Sequence, residues 1–285
     1  MNIAKPPPSA ANFELHHLSP CIGTEVHGID LRCPHDDATF DWLAGLLVER
    51  KVLFFRDQDI SVEEHIQFAR GFGDIEVHPF TDNDAEHPEV IQLANGEANP
   101  PRINVWHSDV TWREAPSLGS ILRARVIPSV GGDTLFANME AAYDSLDDAM
   151  KERLEPLNAI HDNEVFLRGM ERRGATDDQI AAKRAEFPPV RHPVVRTHPI
   201  SGRKSLYVNR VFTRTIDGMD EAEAKELLSQ LYLTAWVPDV QCRFRWREDS
   251  LAFWDNRASQ HYAAADYWPA ERIMERVTVI GDRPR

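Results

Sequence analysis

The chain has 285 residues and a mass of 32.5 kDa, enough for a substantial core, with 42% hydrophobic and 27% charged residues. Its 32 Lys and Arg against 46 Asp and Glu give a formal net charge of −14, which disfavours nucleic acid and anionic membranes as partners. There is no apolar run of the ~20 residues a membrane span needs and no apolar leader in residues 1–11. Cys21, Cys33 and Cys242 make neither a disulfide framework nor a CxxC site, so a reducing cytoplasm is the expected compartment.

The Pro6-Pro7-Pro8 run cannot sustain a helix, so residues 1–12 read as a loose arm and 13–285 as one domain. Phe40, Leu43, Leu46 and Leu47 recur at helical spacing over Thr39–Arg50, with Asp36 and Asp37 upstream as caps. Lys51–Arg56 reads as a short buried strand. Ser61 and Glu64 fit a capping box that opens a helix running to Phe72, stopped by Gly71 and Gly73. Leu118–Ile127 alternates as a half-buried strand does. Asn138–Leu157 reads as one or two short helices, and Arg168–Arg184 as a solvated helix pair. Val194–Val208 reads as two extended runs joined by Ser201-Gly202. Glu221–Trp236 reads as a helix, and Cys242–Trp246, Leu251–Trp254 and Ile273–Ile280 as strands. Short strands without regular βαβ alternation point to a mainly β, double-sheet core carrying helical insertions.

Chemistry gathers around one His-x-Asp pair. His107 and Asp109, on one face of a strand, can grip one metal ion together, and His261, after the apolar Leu251–Trp254 run, supplies a third ligand. Two histidines and one carboxylate form the facial triad of non-haem Fe(II) oxygenases. Zinc can use the same atoms with a bound water, so the ligand types leave a zinc hydrolase open. Arg272, on a strand neighbouring His261, offers a bidentate grip on a carboxylate, and Thr134 after Gly131-Gly132-Asp133 adds a hydroxyl. A 2-oxo diacid needs that combination: chelation at one end and an arginine at the other. Arg276 shares the strand face of Arg272 and is placed to hold a second anion. Trp106, Trp112, Trp254 and Trp268 read as core or pocket wall.

The segments 106–116 (WHSDVTWREAP), 128–138 (PSVGGDTLFAN), 192–209 and 253–284 resemble the taurine dioxygenase/2,4-dichlorophenoxyacetate dioxygenase family, collinearly from Ser19 to the C-terminus. The resemblance implies a double-stranded β-helix, the cupin-like jelly roll. It implies Fe(II) bound by His107, Asp109 and His261, with 2-oxoglutarate and O2 as cosubstrates. It assigns Thr134 and Arg272 to the distal carboxylate of 2-oxoglutarate, and Arg276 and His78 to the substrate. Three positions depart from the taurine pattern. Thr81 stands where taurine-type members have tyrosine, Ile103 where they have a substrate-contacting asparagine, and Leu167 near their pocket phenylalanine. Lost polar partners weigh against taurine itself and point to a wider, more apolar pocket.

The expected reaction is hydroxylation of the carbon beside the anionic group of a small organic acid, foremost a sulfonate, with release of sulfite and an aldehyde. An alkyl sulfate ester or an aryloxyalkanoate fits the same chemistry. A zinc hydrolase has no use for Arg272 and Thr134, and a silent jelly-roll binding module none for the complete triad. The resemblance further implies a homo-oligomer.

Overall fold

The structure, a computed structural model, describes residues 5–81 and 86–285. In chain order its elements are β1 (Glu14–His17), β2 (Thr24–His27), α1 (Asp37–Arg50), β3 (Val52–Phe55), α2 (Val62–Arg70), β4 (Val90–Asn95), β5 (Ser117–Val126) and β6 (Thr134–Asn138). There follow α3 (Met139–Asp144), α4 (Asp148–Leu154), β7 (Asn158–His161), α5 (Glu164–Arg172), α6 (Asp177–Glu186), β8 (Val190–Pro193), β9 (Val195–Thr197) and β10 (Lys204–Leu206). The last are β11 (Thr213–Ile216), α7 (Glu221–Leu233), β12 (Gln241–Phe244), β13 (Leu251–Asp255), β14 (Ser259–Ala263) and β15 (Arg272–Ile280).

Seven strands form the major sheet in the order β1-β2-β3-β13-β5-β15-β4, and β12-β6-β14 form a minor sheet. Alternation along a strand sends neighbouring side chains to opposite faces, and β3 shows the consequence. Val52 and Phe54 point inward to a core shared with Phe136 and Phe244 of the minor sheet, beside Leu122, Trp254 and Met274. Leu53 and Phe55 point outward to Leu43, Leu46 and Phe68 of α1 and α2. Helix α7 and the α3–α4 pair cover the far side of the minor sheet, where Leu227, Leu231, Ala137 and Met139 pack together. The jelly roll expected from the sequence is therefore the observed architecture, and the site lies between its two sheets. Among the described residues no helix is long and apolar enough to cross a membrane.

The local signals act as their chemistry dictates. The Asp36 side chain accepts from the Thr39 N–H and opens α1, and Ser61 with Glu64 forms a complete capping box on α2. Gly202 takes φ 71° in the turn between β9 and β10, where a side chain would be strained.

Four expectations change. The described part of the loose arm is docked: Pro8–Ala10 form one helical turn, Ala10 is fully buried against α1, and the Ser9 hydroxyl donates to Asp36. Residues 1–4 of that arm lie outside the described residues. Strand β5 is central, so it is buried on both faces along most of its length instead of half-buried. Helices α5 and α6 are more than a solvated pair, because Leu167 of α5 is buried and Phe166, Met170 and Ile180 pack beside it. Trp268 is 52% exposed, unlike the three other tryptophans grouped with it.

Candidate metal centre and anion sites

His107, Asp109 and His261 come together, buried, with one ligand atom from each within 4.8 Å of the others. The local frame differs from a strand. His107 and His261 form an isolated antiparallel bridge, His107 N–H donating to His261 O at 3.1 Å and His261 N–H to His107 O at 2.8 Å. The chain then turns, with Val110 at φ 46°. The turn, not strand alternation, swings Asp109 back beside His107. The Ser108 hydroxyl donates to Ser259 O at 2.7 Å and clamps this segment to β14.

Protonation states suit a metal. His107 Nδ1 lies 2.9 Å from the Val105 carbonyl, which can only accept, so Nδ1 carries the proton and Nε2 offers its lone pair. His107 Nε2 is 3.8 Å and His261 Nε2 4.0 Å from Asp109 Oδ1. Burial lowers the pKa of His107 and holds that of His261 at about 3, so both imidazoles are neutral at pH 7. Burial alone would raise the Asp109 pKa, but the Arg276 guanidinium first, and the Ser120 hydrogen bond with it, keep the carboxyl ionised, well below its usual range. Two neutral imidazoles and one carboxylate, all buried, are the donor set of an Fe(II) facial triad.

Arg272 reaches the site from the opposite sheet. It lies on β15 of the major sheet while His261 lies on β14 of the minor one, which corrects the expectation of neighbouring strands. Its Nε donates to Gly132 O at 3.1 Å, and its guanidinium sits 5.9 Å from the ring centres of both Trp246 and Tyr267. Arg272 is 5% exposed, and its Nη2 has no hydrogen-bond partner among the described residues. Gly132 has φ 74°, and a Cβ there would meet Arg272 Cδ at 3.2 Å, so only glycine lets the loop close on this side chain. Thr134, on β6 facing it, is buried and accepts from Trp246 Nε1 at 2.9 Å.

Arg276 lies four residues on and turns inward as alternation predicts. Its Nη1 is 2.9 Å from Asp109 Oδ1. His78 is buried beside it, its pKa held at about 3 by burial first and then by Arg276 and Arg113. Around His78 stand Trp112, Phe80 and Phe166, with ring centres 5.1–6.2 Å away. Leu167 packs in the same cluster against Phe80, Val110 and Trp112. Thr81 is half-buried beside His78, its hydroxyl 3.5 Å from the His78 carbonyl. Ile103 is 43% exposed in the loop before Trp106 and stays outside the buried cluster.

Two charged residues escaped the sequence reading. Glu76 is buried with its Oε1 2.5 Å from Arg113 Nη2. Burial raises the Glu76 pKa, while Arg113 and Arg276 oppose that shift. Ser120 and Asn256, which hydrogen-bond Asp109, also went unnoticed. Asn256 sits in the polar Asp255-Asn256-Arg257 stretch before His261, the one signal that could have marked it.

A jelly roll with a buried His-Asp-His group between its sheets and arginines on the facing strand defines a non-haem Fe(II)- and 2-oxoglutarate-dependent dioxygenase. The comparisons give the family. The model of the taurine catabolism dioxygenase TauD, TfdA family matches residues 14–278, and the chain belongs to that family. It is 35% identical over 275 residues to an alkylsulfatase of Acinetobacter baylyi, covering 95% of this chain and 86% of the relative. It is 35% identical over 282 residues to an alpha-ketoglutarate-dependent sulfate ester dioxygenase of Pseudomonas putida, covering 97% and 92%. The crystal structure of a taurine dioxygenase from Burkholderia xenovorans superposes with TM-score 0.81 at 33% identity, covering 97% of this chain and 91% of that one. The enzyme accordingly uses Fe(II), 2-oxoglutarate and O2.

Proposed function

We propose that the enzyme oxidises a small organosulfur anion, a sulfonate or sulfate ester with an apolar tail, at the carbon beside the anionic group. In this reading His107, Asp109 and His261 hold Fe(II), Arg272 and Thr134 take the distal carboxylate of 2-oxoglutarate, and Arg276 with His78 takes the substrate anion. One observation carries it: Arg272, buried and with Nη2 unpaired among the described residues, lies across the sandwich from a buried His-Asp-His group. A buried guanidinium without a carboxylate partner is a site built for an incoming anion.

Iron, 2-oxoglutarate and O2 supply the oxidising power, with succinate and CO2 as the cosubstrate's products. The chain's own part is positioning. Arg276 fixes the anion, and thereby which carbon faces the metal. His78 is kept neutral, and its Nδ1 accepts from Phe80 N–H at 3.3 Å, so the proton sits on Nε2 as a donor for the anion without adding a charge. Trp112, Phe80 and Phe166 exclude water from the tail. A hydroxyl beside a sulfonate collapses to an aldehyde and sulfite, and one beside a sulfate ester to an aldehyde and sulfate. Apolar walls that include Leu167, and a threonine instead of a phenol at position 81, favour an apolar tail over the amine of taurine. The relatives named for alkylsulfatase and sulfate ester activity support the same choice. The free Cys21, Cys33 and Cys242 fit a cytoplasmic enzyme, and the family resemblance a homo-oligomer.

The test is succinate formation from 2-oxoglutarate with Fe(II) and O2, offered hexyl sulfate, hexanesulfonate, taurine and phenoxyacetate in turn. Stimulation by hexyl sulfate or hexanesulfonate, with sulfate or sulfite matching succinate and loss of both in His261→Ala, is the expected result. Preferential stimulation by taurine or phenoxyacetate would overturn the apolar organosulfur assignment.

A further inference from the structure

We infer that Asn256 and Ser120 are positioning residues for Asp109, fixing its main chain and its Oδ2 so that Oδ1 is the oxygen turned toward the two imidazoles and a metal between them. The inference rests on the reading of His107, Asp109 and His261 as metal ligands. Asn256 is fully buried in the turn between β13 and β14, and Ser120 is fully buried on β5. The Asn256 amide uses all its capacity. Its Oδ1 accepts from Asp109 N–H at 3.0 Å and from Trp254 Nε1 at 3.0 Å. Its Nδ2 donates to Ser117 Oγ at 2.9 Å and to Ser120 Oγ at 3.1 Å.

That pattern has a direction. An amide N–H cannot accept, so the Ser120 oxygen accepts from Asn256 and its single proton is left for Asp109. The Ser120 hydroxyl then donates to Asp109 Oδ2 at 2.7 Å. Oδ2 is thereby engaged, while Oδ1 faces both imidazole Nε2 atoms and Arg276. An asparagine meets both demands, whereas an ionised aspartate could accept but not donate. The Asn256 main chain is itself pinned, its N–H donating to Leu118 O at 2.9 Å on the strand that carries Ser120.

The consequence is the number of positions left open. If His107, Asp109 and His261 each gave one ligand atom, an iron ion held there would keep open positions for 2-oxoglutarate and O2. A carboxylate ligating through both oxygens would remove one of them. Ser120 holds Oδ2 away from that role, and the neighbouring β5–β13 ladder makes the hold rigid.

The probe is Co(II), titrated into metal-free protein and followed by its visible absorption and by tryptophan fluorescence. Ser120→Ala and Asn256→Ala are compared with the unaltered chain. Thr24→Val is the control, removing another fully buried hydroxyl, on β2, that accepts from Arg50 Nε at 2.8 Å. The Co(II) Kd is expected to rise 10- to 100-fold in Ser120→Ala and Asn256→Ala, with cooperative melting retained and the Kd unchanged in Thr24→Val. A Ser120→Ala Kd within twofold of the unaltered chain overturns the inference, and that variant decides alone if Asn256→Ala fails to fold. A parallel His261→Ala titration separates the two levels. Saturable binding that His261→Ala leaves intact brings down the metal-site reading itself, and the inference with it.

Discussion

Replacing Arg272 with methionine separates a ligand-binding arginine from a structural one. The guanidinium is 5% exposed, burial pulls its pKa below the usual arginine value, and its Nε hydrogen bond goes to Gly132 O. In the metal-free protein it is a desolvated cation with no carboxylate bound to it among the described residues, and methionine fills similar volume. Losing the Gly132 bond costs about 1 kcal/mol, and relief of an unpaired buried charge offsets that. The melting temperature of the metal-free protein should therefore move by no more than about 3 °C. The cosubstrate should respond strongly. Two charge-assisted hydrogen bonds to the distal carboxylate are worth about 3–4 kcal/mol together, which at about 1.4 kcal/mol per tenfold is on the order of 10²–10³ in the KM for 2-oxoglutarate. Succinate assays over a 2-oxoglutarate series and a thermal melt read both quantities. An unchanged KM together with a melting point lowered by about 10 °C would refute the assignment and make Arg272 a structural strut.

Arg276→Ala should raise the KM for the sulfur anion sharply while leaving slow, substrate-independent succinate formation, and a normal substrate KM would reject the anion-gripping role. His65, His78, His161 and His192 are buried and their pKa values lie below 6.5, at about 3, about 3, well below normal and about 4 respectively. Burial is the first cause in all four. The unfolded chain binds more protons than the folded one below pH 6.5, so stability is full above that pH and falls as pH drops toward 4. Urea unfolding at pH 7.5 and 5.5 should show uptake of at least about four protons near pH 5.5, from these four histidines and, in metal-free protein, also from His107 and His261, and a flat stability profile between those values would refute their burial as neutral rings.

Local chemistry was legible and long-range pairing was not. The Asp36 cap, the Ser61–Glu64 box and the Ser201-Gly202 turn each need only a few adjacent residues, and each forms where its residues stand. The His107-x-Asp109 spacing pointed to residues that do come together, but through the wrong geometry, because a bridge and a turn join them where a strand was expected. Arg272 was expected beside His261 on a neighbouring strand, and comes from the facing sheet. Ser120 and Asn256 lie 11 and 147 residues from Asp109, and no periodicity links such positions. A serine on an apolar strand and an asparagine in a polar turn carry no mark of their shared partner until the sheet is folded.

The acidic composition and the anion-binding reading describe different distances. A net charge of −14 acts through the field at the surface, which salt screens over ~8–10 Å. Arg272 and Arg276 lie on the inner face of β15, 5% exposed in the first case and with a side chain 14% exposed in the second. There water and salt are excluded, and a charge-assisted hydrogen bond holds its strength. Asp109 is the carboxylate in contact with Arg276, and a metal on Oδ1 would compete with that guanidinium for the same oxygen. A small anion therefore meets cations that the surface does not advertise, which is how a strongly acidic chain can carry a site for acids.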